Sequence, residues 1–381
     1  MIDTDKKLIC PITNSRKFSN IFSVKKFPIY MGVVEKKYKP EFKNLNFKIN
    51  KKSGTVQIYP RVPLKKLYFK PHGSGKIGKV WSDHHKEFFY FTKKYLKNKI
   101  LEIGGGHNSI SNMFDNLKNN NDIDLISFDP NGKKLKNLNH KLIKDFFNLR
   151  NIKKYKIKSD INLIIHSHLI EHIYSPRQFL LKINSLLSKN GHHVFSVPNL
   201  KNMIQNGYAN AMNFEHPFFL DEKMLDFLLN QNGFKVIKKK YFKSSHSIFY
   251  LTKKSIKKRK KLFSYHSTNK KIFLDLKKKW SKDIKFLNSK IANKKNIFLF
   301  GAHIFSQNLI FNGLNCKNIE YILDNDPNKK NKFLYGTNIQ VMGSEILKKY
   351  RSPIVILRAG AYNSEIKKNI INKANKKTTF I

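Results

Sequence analysis

Four apolar runs of strand length, separated by segments of helical periodicity, govern what this chain can fold into. "KILEIG" (99–104), "DLISFD" (124–129), "INLIIHSH" (161–168) and "HHVFSVPN" (192–199) read as strands. "SPRQFLLKINSLLSKNG" (175–191) and "DEKMLDFLLNQNG" (221–233) repeat apolar residues every three or four positions and predict helices stopped by Gly191 and Gly233. Ahead of the first strand, "SDHHKEFFYFTKKYL" (82–96) predicts a helix with Ser82 as its N-cap. "FKVIKKKYF" (234–242) and "HSIFYLTKK" (246–254) predict a closing antiparallel pair. Strands alternating with helices predict a doubly wound α/β domain.

The rhythm then repeats. Phe273, Leu276, Trp280, Ile284, Leu287 and Ile291 recur at helical spacing and predict one long amphipathic helix. Beyond it "NIFLFGA", "IEYILDND" and "PIVILRAG" read as strands, and "FSQNLIFNG" as a helix. Residues 1–80 hold only short β-like pieces such as "FKI" and "TVQIYP" among Pro, Gly and Lys. Together with the basic run "KKSIKKRKKL" (253–262), these patterns divide the 381 residues into four parts. They are a small β-rich region (1–80), an α/β domain (81–252), a basic linker with the long helix (253–293) and a second Rossmann-like α/β domain (294–381).

Charge limits the partners less than its size suggests. Lys+Arg number 75 against 25 Asp+Glu, a net +50. The excess is mostly lysine, evenly spread and accompanied by abundant Asn and Ile, which reads as drift in an AT-rich genome. A nucleic-acid surface concentrates Arg with aromatics in one region, so nucleic acid is not the expected partner. The positive field favours phosphorylated small substrates. Two cysteines, Cys10 and Cys316, build no disulfide framework and no Cys-rich metal site. The N-terminus shows no signal-peptide pattern and no run of about 18 apolar residues occurs. The expectation is a cytoplasmic protein with no membrane partner.

The chemistry starts where "ILEIG" meets Gly104, Gly105 and Gly106. Residues without a Cβ after a strand and before a helix let the backbone approach a ligand closely. Glu102 lies at the carboxyl end of that strand. Asp129 ends the next one, where an acid typically holds ribose hydroxyls. The strict G-x-G-x-x-G spacing of dinucleotide sites is absent, because position 109 is serine. The stretch resembles instead the E-x-G-x-G-x-G turn of class I S-adenosylmethionine-dependent methyltransferases. Asn108 stands where the last glycine would be, and Asn tolerates left-handed backbone angles. The resemblance implies S-adenosylmethionine as cofactor. Its binding residues would be Glu102, Gly104, Gly106, Asn108, Asp129, Asp145 near the adenine, and His168 in the crevice lined by residues 166–168.

Downstream the chain is similar to the C-methyltransferases that act on nucleotide-linked keto-deoxysugars. The resemblance rests on "GKIGKVWSDHHKEF", on "NFEHPFF" (213–219), and on "FGAH", "YILDNDPNKK" with Asp324, and "AYNSEI" with Glu365. The family's Tyr-His-Glu-His motif appears with Asn213 at the tyrosine, Phe214 at the first histidine, and Glu215 and His216 matching. The family's N-terminal zinc site uses four cysteines; only Cys10 stands here, so that site is expected to be missing and no catalytic metal is assigned. Carbon methylation next to a ketone needs a base for the α-proton and a donor for the enolate oxygen. The resemblance implies His216 as base, Glu215 orienting it or sharing its proton, and His172 as enolate donor or proton relay. Two alternatives stand beside this reading: a sugar O- or N-methyltransferase, and a non-catalytic nucleic-acid or nucleotide-binding protein.

Overall fold

The computed structural model describes residues 8–36, 38–69, 78–105, 110–117, 122–130, 132–137, 139–256 and 263–381. A seven-stranded sheet holds the centre: β1 (Lys99–Ile103), β2 (Asp124–Phe128), β3 (Asn139–Ile143), β4 (Ile161–Ser167), β5 (Leu187–Pro198), β6 (Phe234–Phe242) and β7 (Ser247–Lys254). Their spatial order is β3-β2-β1-β4-β5-β7-β6, with β7 antiparallel to both neighbours. The central strands are apolar on both faces because helices cover both, as parallel sheets require. The order reverses between β1 and β4. At such a switch point the connections leave in opposite directions and open a crevice at the carboxyl edge.

Three sequence expectations need correcting here. The strand β3 falls in "NHKLI", whose alternating apolar residues were too few to register as a strand; its His140 is buried against Ser127 of β2, Nε2 to Oγ 3.0 Å. The helix predicted to run to Gly191 ends at Leu186, and β5 begins at once. Gly191 lies inside that strand, where a Cβ would stand 2.9 Å from the Ile161 carbonyl oxygen. It permits close approach of β4 rather than stopping a helix.

The third correction concerns the helix ahead of β1, which starts at Lys79, three residues before Ser82. Its cap comes from far along the chain. The Glu365 carboxylate accepts from the Lys79 and Val80 N–H groups at 2.7 and 3.2 Å. A carboxylate at a helix N-terminus satisfies free donors and complements the helix dipole. Replacing Glu365 by Ala is expected to cost about 1 kcal/mol, read as a lower urea midpoint with unchanged m-value, and Glu365→Gln should recover part of it.

The second α/β unit is a five-stranded, all-parallel sheet: β8 (Ile297–Phe300), β9 (Ile319–Leu323), β10 (Val341–Met342), β11 (Ile354–Leu357) and β12 (Thr379–Phe380), in the order β10-β9-β8-β11-β12. The N-terminal strands Phe18–Pro28, Phe42–Asn50 and Val56–Ile58 form an antiparallel sheet. Its fourth strand is Phe218–Phe219, the end of "NFEHPFF", which pairs with Val56 and Gln57. Residues 33–34 pair in turn with 333–334 of the second unit.

The helix His266–Ile291 ties these parts together. Phe273 and Leu276 pack into the core under the N-terminal sheet, whereas Ile284, Leu287 and Ile291 pack into that of β8–β10. One apolar stripe is thus divided between two cores. The Trp280 indole N–H, between the halves, donates to the Gly207 carbonyl at 2.8 Å. Among the described residues no helix is long and apolar enough to cross a membrane. The basic run at 257–262 lies outside the described residues.

Candidate active site

A cavity of about 960 Å³ opens at the carboxyl edge of the central sheet and extends to the carboxyl edge of β8 and β9. Gly104 and Gly105 form one wall. Gly104 has φ +66° and donates its N–H to the Phe128 carbonyl at 2.8 Å, a left-handed conformation that suits glycine. A Cβ on Gly105 would stand 2.6 Å from the Glu102 carboxyl group. The turn therefore keeps the backbone bare and presses it against Glu102. Gly106 and Asn108, assigned to the same turn, lie outside the described residues.

Glu102 is 2% exposed and accepts a hydrogen bond from Ser111 Oγ. Burial pushes its carboxyl up to about 7. Asp129 follows β2, is buried, and stands close enough for its charge to add to that rise. Asp145 follows β3, lines the cavity and accepts from the Phe146 N–H at 2.8 Å. These acids sit at successive strand ends around the switch point, where a nucleoside with a cationic sulfur fits.

Residues 166–168, expected at the crevice, all line the cavity. His166 lies inside β4, fully buried, with Nε2 3.0 Å from Nε2 of His193. His168, expected among the cofactor residues, lines the same cavity. Its Nε2 is 2.8 Å from Ser247 Oγ and its Nδ1 3.3 Å from Glu171 Oε1, so both ring nitrogens are engaged within the protein.

His172 and His216 meet across the cavity. His172 belongs to a short 3₁₀ turn after β4, and His216 to the turn that leads into Phe218–Phe219. Their Nε2 atoms are 3.2 Å apart. His172 Nδ1 is 2.8 Å from the Tyr68 hydroxyl, and His216 Nδ1 is 3.0 Å from the Asn210 carbonyl oxygen. One assignment of protons satisfies all three contacts. A carbonyl only accepts, so His216 carries its proton on Nδ1 and offers a lone pair at Nε2. His172 Nε2–H then donates to that lone pair, and Tyr68 O–H donates to His172 Nδ1.

The departures from the Tyr-His-Glu-His motif acquire structural roles. Asn213 Oδ1 accepts from the N–H groups of Glu215 and His216 at 2.8 and 3.1 Å, closing the turn that presents His216. Phe214 is buried in the core under the N-terminal sheet, with its ring 6.3 Å from that of Phe27. The far end of the turn is pinned as well: the Ile58 N–H donates to the Pro217 carbonyl at 2.8 Å, and the Arg61 guanidinium lies over the Phe218 ring.

Glu215, expected to orient His216 or share its proton, lines the same cavity. Both ring nitrogens of His216 are taken by Asn210 and His172, so these orient the imidazole. Glu215 is buried beside Tyr30 and Tyr68. After desolvation, its charge is the next cause that holds both phenols well above their ordinary range. Tyr68, Asn210 and Glu171 were not singled out from the sequence. Tyr68 acts through His172, 104 residues away, and Asn210 acts through its backbone carbonyl, which any residue type carries, so no local pattern marks either.

The second unit adds Gly301, at φ +102°, and Asp324. The Asp324 carboxylate accepts from the Ala302 N–H and the Lys329 ammonium, both at 2.9 Å. Among the described residues the lining carries seven carboxylates, Glu102, Asp145, Glu171, Glu215, Asp324, Asp326 and Glu365, against two lysines, Lys182 and Lys329. In a chain of +50 the cavity is locally acidic.

Comparison with known families agrees with this geometry. Residues 76–239 match a methyltransferase domain, and residues 245–381 match a C-methyltransferase C-terminal domain. The chain is an S-adenosylmethionine-dependent methyltransferase. Its central sheet with the antiparallel β7 is the class I methyltransferase fold. No curated protein sequence matches the chain. Among solved structures it is similar to the CcbJ methyltransferase from Streptomyces caelestis, at 9% identity and a TM-score of 0.36, over 47% of this chain and 94% of that one. It is also similar to the PH0226 protein from Pyrococcus horikoshii OT3, at 10% identity and 0.38, over 48% and 94%. A third is the 1,6-didemethyltoxoflavin-N1-methyltransferase from Burkholderia thailandensis with bound S-adenosylhomocysteine, at 11% and 0.35, over 46% and 81%.

Two metal or cofactor expectations can be tested on the residues. The bare glycine turn and the acids at the ends of β1, β2 and β3 fit S-adenosylmethionine. A four-thiolate zinc site does not fit the N-terminal region: the chain has two cysteines, and the Cys10 sulfur lies buried against the hydroxyls of Ser53 and Thr55 at 3.2 and 3.6 Å.

Proposed function

We propose that this methyltransferase methylates carbon next to the ketone of a nucleotide-linked keto-deoxysugar, with His216 as the general base. The observation that carries the reading is the Tyr68–His172–His216–Asn210 chain of hydrogen bonds inside the cavity. The match of residues 245–381 to a C-methyltransferase C-terminal domain supports carbon as the acceptor.

A proton α to a ketone and the carbonyl oxygen lie on adjacent carbons. A base and a hydrogen-bond donor serving both must therefore stand side by side. His216 Nε2 and His172 Nε2 are such a pair at 3.2 Å. The Asn210 carbonyl fixes the His216 tautomer, so Nε2 takes the α-proton and the ring becomes an imidazolium. As the substrate enters between the rings, His172 Nε2–H turns from His216 to the developing enolate oxygen. Tyr68 O–H on Nδ1 keeps His172 in the tautomer that can donate. S-adenosylmethionine, held by Glu102, the Gly104–Gly105 backbone, Asp129 and Asp145, supplies the electrophilic methyl group.

A second reading has its own support. The acidic lining suits a neutral or amino-bearing acceptor better than a diphosphate, which favours O- or N-methylation of a sugar without a nucleotide. One experiment separates the two. The enzyme is incubated with methyl-labelled S-adenosylmethionine and a panel of nucleotide keto sugars and free amino and neutral sugars, in deuterated water. The first reading expects a C–CH₃ signal and deuterium at the α-carbon of unreacted keto sugar. A methyl on oxygen or nitrogen sinks it, as does cofactor binding without turnover of any keto sugar.

A further inference from the structure

A second cluster of imidazoles lies beside the cavity, where three elements meet. His84 comes from the helix 79–93, His168 from just beyond β4, and His246 from the residue before β7. Each offers a ring nitrogen within 4.8 Å of the other two. Their ring centroids are 5.1 Å (84 to 168), 5.4 Å (84 to 246) and 5.8 Å (168 to 246) apart. Imidazoles bound to one tetrahedral ion through bonds of ~2.0–2.1 Å have centroids on the order of 5 Å apart. Ring packing by itself produces similar separations, so the hydrogen bonds must discriminate.

They do so in two ways. First, the outward nitrogens already have the partners that metal-bound imidazoles use. His168 Nδ1 faces the Glu171 carboxylate at 3.3 Å, and His246 Nε2 faces the Tyr362 hydroxyl at 3.3 Å. The inward nitrogens, His168 Nε2 and His246 Nδ1, converge on Ser247 Oγ at 2.8 and 2.6 Å. The hydroxyl can donate to one ring and accept from the other, so Ser247 bridges the two nitrogens that an ion would draw together. Second, His84 is 0% exposed, and neither of its ring nitrogens has a hydrogen-bond partner among the described residues. A neutral imidazole always carries one N–H and one lone pair, so a fully buried ring without partners is costly unless a ligand completes it.

We propose that His84, His168 and His246 bind one divalent transition-metal ion of the zinc type. The ion joins the helix ahead of β1 to the carboxyl edge of β4 and to the β6–β7 turn. Its role is to hold the cavity wall; it takes no part in the transfer itself, and the site stands whatever the acceptor proves to be. The sequence carries no spacing signature for it, because the ligands are 84 and 78 residues apart.

The test is titration of chelator-treated protein with Co²⁺, followed by visible d–d absorption, together with thermal melting in Zn²⁺. The unsubstituted protein should bind one equivalent with intense tetrahedral bands, and Zn²⁺ should raise its Tm. His84→Phe, which keeps a ring in the aromatic cluster, should weaken Co²⁺ binding at least about 100-fold and abolish the Zn²⁺-dependent rise in Tm. His172→Ala, which dismantles the neighbouring Glu171–His172–His216 group, should bind as the unsubstituted protein does. The proposal is overturned if no stoichiometric Co²⁺ binds. It is overturned equally if His84→Phe binds normally, or if His172→Ala loses the ion instead.

Discussion

Substituting His216 by Gln is expected to lower kcat by roughly 10²–10⁴-fold, the range that a positioned general base contributes. Glutamine places its amide where Nε2 stood and gives up the bond to the Asn210 carbonyl, but Asn213 closes the turn through the backbone N–H groups of residues 215 and 216, so the turn should survive. S-adenosylmethionine affinity should be unchanged, because the cofactor residues sit on the other wall of the cavity. Steady-state kinetics with the turned-over acceptor, paired with calorimetric cofactor titration, reads both quantities. Deuterium exchange at the acceptor's α-carbon should disappear with the activity. If exchange persists while methyl transfer is lost, the base is another group. Tyr68→Phe should act more weakly, through the tautomer of His172, and should lower kcat with little change in KM.

The second large effect concerns Glu102 and pH. Its carboxyl lies at about 7 in the folded chain because of burial, against an ordinary value of 4.5. The folded state therefore holds this proton more tightly than the unfolded state does. Its contribution to stability is complete below pH 4.5 and is lost as pH rises through 7. At ~1.4 kcal/mol per pH unit the loss amounts to about 3 kcal/mol. Urea melts of the cofactor-free protein should show that much lower stability near pH 8 than near pH 5, measured relative to Glu102→Gln, which has no proton to release. Cofactor affinity should move the opposite way. A cationic ligand favours the carboxylate, so binding to the unsubstituted protein should tighten through pH 7. In Glu102→Gln it should be weaker and flat. An equal pH profile in both proteins would remove Glu102 from the cofactor site.

Much of the fold was legible because burial on both faces leaves a simple trace. "ILEI", "LISF" and "INLII" are apolar runs each broken by a single polar residue, and each proved to be a strand of the central sheet. β3 was missed because an outer strand needs fewer apolar residues. The stop at Gly191 was misread because a glycine that ends a helix and one that admits a neighbouring strand look alike in sequence. The Ser82 cap failed for a related reason: local pattern cannot reveal a carboxylate 286 residues away taking the capping role.

The candidate site divides along the same line. Sequence by itself marked out the glycine turn, the acids at the ends of the first two strands and, through resemblance, His172 and His216. These are properties of short stretches, where backbone freedom and strand-end position are written in neighbouring residues. The tertiary structure decided that His172 and His216 face one another at 3.2 Å, that Tyr68 and Asn210 set their tautomers, and that His168 turns toward Ser247 and Glu171. It also decided that an acidic cavity lies within a strongly basic chain. Hydrogen bonds and local fields depend on distance and burial between residues far apart in the chain, and only folding sets those.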